Sequence, residues 1–265
     1  MIYYPPHLKE TGAAETDLPQ AGGPIAIIFP PFAEEMNRCR RMMTLQAEAF
    51  ASAGIGTIVF DLSSTGDSSG DFEDALWEHW VDDGFAMVDK ARELGASTIS
   101  LLGIRLGAAI ALTIAQKRKD DIDKVVLWQP VCSGTIHMTQ FLRLRLAAAL
   151  TGEQTGETTR SFRQKLQDGK LLEVGGYALS GKLTAKIEDI KLEEYSPEIP
   201  VTWLETLSHE PATLGPASER VIETWRDRGA RVEAAVIPGA PYWSLQETTV
   251  APALIQATTE ILVAR

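Results

Sequence analysis

The sequence lacks most of what a secreted, membrane-spanning or nucleic-acid-binding protein needs. Only two cysteines occur, Cys39 and Cys132, so no disulfide framework can form, and a reducing cytoplasm is the expected compartment. Positive charge is scarce. Against 36 Asp and Glu stand 25 Lys and Arg, for a net charge of −11. That argues against nucleic acid as a partner, because phosphate backbones are bound by basic patches, and it disfavours an anionic membrane surface. No uncharged apolar run is long enough to span a bilayer. The start, Met1-Ile2-Tyr3-Tyr4-Pro5-Pro6-His7, has no basic residue ahead of a long apolar run, so no secretory signal is read there. Metal-ligand spacings, Gly-rich phosphate loops and repeats are missing too, and no metal or cofactor is expected.

What remains is ordinary globular composition, 45% apolar and 23% charged over 265 residues, enough for one α/β domain. Residues 1–23 are rich in Gly, Pro, Ala and acids and read as an N-terminal arm, leaving the sheet short at that edge. From Pro24 the chain alternates. Apolar strands are expected at 24–29, 57–61, 98–102, 124–128, 201–204 and 232–237. Helices are expected at about 34–53, 76–94, 106–117, 216–227 and 250–264. Continuously apolar strands separated by helices predict a parallel sheet with right-handed crossovers. The alternation breaks at 133–196, where helical patterns (138–150, 158–168, 183–190) appear without a core strand. This reads as a helical cap inserted between core segments 24–132 and 197–265.

The chain is organised around Ser100-Leu-Leu-Gly103-Ile-Arg105-Leu-Gly107. An apolar strand, a tight turn with two glycines and a helix of small residues make the shape of a nucleophile elbow, which predicts an α/β-hydrolase fold. The middle position is arginine. A guanidinium is donor-only and always charged, so Arg105 can be neither nucleophile nor general base. The other slots of a serine hydrolase are altered as well. After the last strand, Val236-Ile-Pro-Gly-Ala-Pro-Tyr242-Trp243 puts Tyr242 near the histidine slot. The four histidines are His7, His79, His137 and His209, none of them beyond that strand. His209 or Glu210 is nearest the acid slot. Pro31 has no N–H to offer an oxyanion, although Phe32, Ala33 and Leu106 do. In a serine protease, losing the nucleophile or the histidine lowers turnover roughly 10⁶-fold. A conventional Ser-His-Asp hydrolase is therefore not expected.

Five segments together resemble one family. They are Pro31-Phe-Ala-Glu-Glu-Met-Asn-Arg-Cys-Arg-Arg-Met42, Gly66-Asp-Ser-Ser-Gly-Asp-Phe72, Gly103-Ile-Arg-Leu-Gly107, Leu127-Trp-Gln-Pro-Val131 and Gln140-Phe-Leu-Arg-Leu-Arg-Leu146. They are similar to the second α/β-hydrolase-like family associated with the bacterial exosortase A system, over roughly residues 25–260. The resemblance implies the hydrolase fold, an arginine in the elbow and a setting of exopolysaccharide and protein-sorting genes. It implies no substrate. Where that family usually has His-Pro-Phe, this chain has Pro30-Pro31-Phe32.

Each remaining candidate carries two readings. Arg105 either clamps a carboxylate or phosphate in the crevice at the strand ends or makes an internal ion pair with Glu34 or Glu35. Cys132, with His137 five residues on, is either a nucleophile or a small buried residue. Ser63, Ser64, Ser68, Ser69, Asp67 and Asp71 read first as turn residues. Gln129, Cys132, Tyr242 and Trp243 are expected at the pocket with Arg105, Phe32 and Leu106. Trp203 reads as core or pocket wall. Phe141 with Leu142–Leu146 reads as an amphipathic cap helix or a partner- or acyl-binding surface. The run Arg38-Cys-Arg-Arg41 reads as a solvated helix face. Two functions follow. One is a hydrolase homologue without a triad that binds a small anionic or acyl ligand or a protein partner. The other is an ester or thioester hydrolase acting through Glu210, Cys132 or an activated water. A short N-terminal sheet edge also invites edge pairing between copies.

Overall fold

The computed structural model describes residues 1–7, 22–149, 157–208 and 213–264. In chain order its elements begin with β1 (Ile2–Tyr4), β2 (Ile25–Phe29), α1 (Glu34–Ser52) and β3 (Gly56–Val59). There follow α2 (Trp77–Glu93), β4 (Ile99–Ile104), α3 (Gly107–Lys117) and β5 (Lys124–Trp128). The inserted segment holds α4 (Gly134–Ala149), α5 (Thr159–Gln167), β6 (Leu172–Val174), β7 (Tyr177–Leu179) and α6 (Gly181–Glu188). The chain closes with β8 (Val201–Leu207), α7 (Pro216–Asp227), β9 (Val232–Pro238) and α8 (Pro252–Val263).

Seven strands form one sheet in the order β1-β3-β2-β4-β5-β8-β9. The five pairings from β3 to β9 are parallel, and the edge strand β1 runs antiparallel to β3. This is an α/β-hydrolase sheet. All five residues of β2 are buried, as a central strand covered on both faces requires. Ile25, Ile27 and Phe29 face one apolar layer, shared with Trp80, Ile110 and Trp225 and with the inserted helices. Ala26 and Ile28 face the other, shared with Cys39, Met42, Phe50 and Leu254.

Three details differ from the sequence reading. Within the stretch read as an arm, Ile2–Tyr4 is a strand, registered Ile2 to Val59 and Tyr4 to Thr57. Three residues are too few to show an alternating pattern. The inserted segment also contains an antiparallel hairpin, with Leu172 opposite Leu179. Its turn, Gly175-Gly176, has both φ positive (57° and 87°), the two-residue geometry that glycine pairs favour. Finally, β8 runs three residues past its apolar stretch. Glu205 and Thr206 are buried there because neighbours supply their hydrogen bonds.

Both ends of the insertion are tied together where they leave the core. Leu192 donates to the Cys132 carbonyl at 3.0 Å and Gly134 to the Ile190 carbonyl at 2.8 Å. Trp225 of α7 then donates its indole N–H to the Leu192 carbonyl at 2.8 Å and packs edge-on against Trp203, 5.7 Å between centroids.

Candidate functional site

Between β4 and α3 the chain makes the sharp turn that the two glycines allow. A methyl at Gly103 would lie 2.5 Å from the Ala108 Cα, and one at Gly107 would lie 2.5 Å from the carbonyl oxygens of Phe29 and Pro30. Without side chains at both places, α3 seats directly on the strand ends. The turn puts Arg105 at φ 54°, a left-handed conformation that non-glycine residues rarely adopt. Two further residues at the carboxyl ends of strands share that strain: Ala33 after β2, φ 48°, and Gln129 after β5, φ 45°. Strain of this kind gathers where surrounding structure holds a site in place.

The Arg105 guanidinium is fully engaged on one side. Its Nε–H is shared between the two oxygens of Glu35 (3.2 and 3.3 Å), and an Nη2 hydrogen goes to Glu35 Oε1 at 3.0 Å. Its Nη1 donates to the Gln129 carbonyl at 2.9 Å. The plane lies over Trp243, with Cζ 5.2 Å from the ring centroid. Gln129 is itself anchored, because its side-chain oxygen accepts from the Thr206 N–H at 2.9 Å. Of the two glutamates considered, Glu35 is the partner. Glu34 instead pairs with Arg38 one turn on, at 3.0 Å.

Tyr242 sits behind Trp243 and against Trp128, fully buried, its hydroxyl without a hydrogen-bond partner. Burial pushes its pKa well up, so it is a neutral phenol in an apolar wall and no substitute for an imidazole base. Cys39, beneath Glu35, is likewise pushed up by burial. Phe32 and Leu106 line a narrow slot with Pro30, Leu62, Trp80 and Ile110, of about 10 Å³, room for one water at most. Phe32 is enclosed by the rings of Phe72, Trp80, His137 and Phe141.

Cys132 is not beside His137. Its sulfur lies 3.8 Å from the Ser218 hydroxyl and 3.9 Å from the Pro130 carbonyl, and burial raises its pKa. Ser218 in turn donates to Glu205, which also accepts the Trp203 indole N–H at 2.9 Å. That carboxylate went unnoticed in the sequence, although a lone acid in an apolar strand was its signal. His137, buried on α4 with Nε2 unpartnered, was likewise not singled out for its position. The acid-slot candidates His209 and Glu210 lie outside the described residues.

The loop serines brace backbone. Ser63 donates twice to Asp83, and Ser68 donates to the Asp61 carbonyl. Asp61 also takes the Asp67 N–H and Arg40. Arg38 reaches the Ser244 carbonyl at 2.7 Å, so the run Arg38–Arg41 is not simply a solvated face: Arg38 and Arg40 are tied down and Cys39 is buried. On α4, Phe141 and Leu142 point inward while Arg143 and Leu144 are exposed. Trp203 is core. Among the described residues no group of three or more acids, histidines or cysteines lies together as a metal site, and no helix is long and apolar enough to cross a membrane.

Residues 26–168 match the family model described as serine aminopeptidase, S33, which is more than half of the chain. The chain belongs to this family of α/β-hydrolases. No curated protein matches it by sequence. Among solved structures it is similar to Est1E from Butyrivibrio proteoclasticus with ferulic acid bound, at TM-score 0.64 and 20% identity, covering 91% of this chain and 88% of that one. It is also similar to a monoacylglycerol lipase from Paleococcus ferrophilus, at TM-score 0.57 and 17% identity over 92% and 96%. Mouse alpha/beta hydrolase domain-containing protein 10 gives 0.53 and 18% over 90% and 89%. Identities this low show a shared fold.

Proposed function

We propose that this family member has exchanged the serine triad for a binding site. In this reading Arg105 stands where relatives carry the nucleophile. Its free N–H groups, next to the slot lined by Phe32 and Leu106, take a small anionic or acyl ligand in an exosortase- or exopolysaccharide-associated system. The observation that carries the reading is the Arg105–Glu35 pair at the strained turn. Its hydrogen bonds use three of the five guanidinium N–H groups, which leaves two to receive a carboxylate or phosphate oxygen. Phe32 and Leu106 supply an apolar wall for a short acyl chain. Tyr242, protonated and walled in, supplies no base. The exosortase setting rests on the five sequence segments alone.

A panel of p-nitrophenyl esters and acyl-CoA thioesters tests this, with the parent beside Arg105→Ala and Arg105→Ser. The expected result is no turnover above background in all three and no labelling of the parent by a fluorophosphonate probe. Robust turnover by the parent would remove the reading. It would favour the second one, ester or thioester hydrolysis by an unorthodox arrangement, for which Cys132, Ser218 and Glu205 form a connected thiol, hydroxyl and carboxylate. Cys132→Ala would then abolish the activity.

A further inference from the structure

The inserted segment shares one apolar cluster with the core and also touches it through Tyr177, which packs against Phe72; among its contacts, the one made by α4 contains an ionisable ring. Helix α4 turns His137, Met138, Phe141 and Leu142 inward, all buried. Two of these clasp Phe32. The His137 ring stands edge-on to it at 5.8 Å and 72°, and the Phe141 ring at 5.0 Å and 73°. Phe32 belongs to the loop that carries Glu35 and borders the slot shared with Trp80 and Leu106. His137 Nε2 is buried there with no hydrogen-bond partner.

We propose that α4 is a pH-gated lid: protonation of His137 loosens its clasp on Phe32 and widens the slot lined by Phe32 and Leu106. The neutral ring fits an apolar clasp, and an imidazolium does not. A buried charge without a hydrogen-bond acceptor is costly, so the proton is taken up by the open form. The charged groups that act on the ring are Glu35, which favours the proton, and Arg105, which opposes it. They bond to each other, so their fields at the ring oppose one another. Desolvation is the largest influence and holds the His137 pKa below its ordinary 6.5 in the closed form. On the elements packed against α4, Arg163 of α5 pairs with Glu188 of α6, Arg145 of α4 with Glu157, and Lys165 of α5 with Glu157. The sign follows. Closure holds fully above the ordinary imidazole value and is lost as pH falls from there toward the depressed closed-state value.

This inference does not depend on what the slot binds or whether it turns over an ester, so the two proposals fail separately. Hydrogen exchange at residues 134–142 of the full chain, corrected for the intrinsic rate, tests it. Between pH 7.5 and 5.5 the open fraction should rise in the parent, by up to about tenfold, the limit set by the ordinary imidazole value in the open form. In His137→Gln and His137→Phe, which cannot take the proton, that rise should vanish. In Glu35→Gln, which removes the other nearby titrating group, it should persist. A parent with no pH-dependent opening overturns the proposal. So does a rise that survives in whichever His137 variant folds, or one that disappears with Glu35→Gln instead.

Discussion

Of the carboxylates sequestered at the carboxyl end of this sheet, Glu35 and Glu205 are treated in opposite ways. Glu35 faces a guanidinium, and the pair keeps some contact with solvent, 20% and 13% exposed. Glu205 lies deeper, on β8 beneath the first turn of α7, and has no cation in its hydrogen-bonding set. It is held by the Trp203 indole and the Ser218 hydroxyl. The dipole of α7 adds favourable potential, since Ser218 is in that helix's first turn. Neutral donors suffice where the carboxylate only ties a strand to a helix. A charged partner with N–H groups to spare stands where three strained residues converge. The contrast is what the proposed binding role of Arg105–Glu35 requires, with Glu205 serving only to tie β8 to α7.

Breaking the first pair should have the largest effect. Arg105→Ala strands the Glu35 carboxylate and should cost about 3 kcal/mol, at the low end of buried-pair values because the pair is partly exposed. Urea unfolding at constant m-value measures it. Replacing both partners, Arg105→Met with Glu35→Leu, should recover most of that loss, since no charge is then left unpaired. Titration with short-chain carboxylates sharpens the point. A purely structural pair predicts that the recovered double variant behaves as the parent does. A binding role predicts stability regained and binding lost.

The sequence already narrowed the Arg105 partner to two adjacent residues, because an arginine in a buried elbow requires an acid and the loop after β2 supplies only Glu34 and Glu35. Choosing between them was beyond a pattern reading. The three-dimensional placement of α1 makes the choice: Glu35 faces the turn, while Glu34 pairs with Arg38 one turn along the same helix. The parallel strands were legible because a strand covered on both faces is apolar throughout. The polar end of β8 was not, since its buried Glu205 and Thr206 are made tolerable by Trp203, Ser218 and Gln129 from elsewhere in the chain. The hairpin in the inserted segment did have a local signal, Gly175-Gly176 between two short apolar runs. It was masked by the helical patterns on either side.

Weakening the second carboxylate should do less. Ser218→Ala and Trp203→Phe each remove one donor from Glu205 and should each cost about 1–2 kcal/mol by thermal or urea unfolding. Because both donors serve the same oxygen, the double variant should depart from additivity. Neither variant should alter ligand binding at Arg105. An equal loss of binding in Ser218→Ala would mean that the two carboxylates belong to one site, and the comparison would collapse.

The smallest effect should carry the opposite sign. Ala33 has φ 48° and ψ −120°, a region where only glycine is comfortable, and it makes no ionic contact of its own. Replacing it with glycine relieves about 1–3 kcal/mol of backbone strain. Against that stand the greater freedom of glycine in the unfolded chain, about 0.4–1 kcal/mol, and the lost burial of one methyl, about 0.8 kcal/mol. Ala33→Gly should therefore come out about 0.5 kcal/mol more stable, within limits of about 0.8 less and about 1.8 more. Arg105→Gly relieves the same kind of strain but should be destabilising, because it discards the pair with Glu35. If Ala33→Gly is clearly destabilising, the methyl is packing rather than being tolerated, and the strain at this end of the sheet belongs to Arg105 and Gln129 alone.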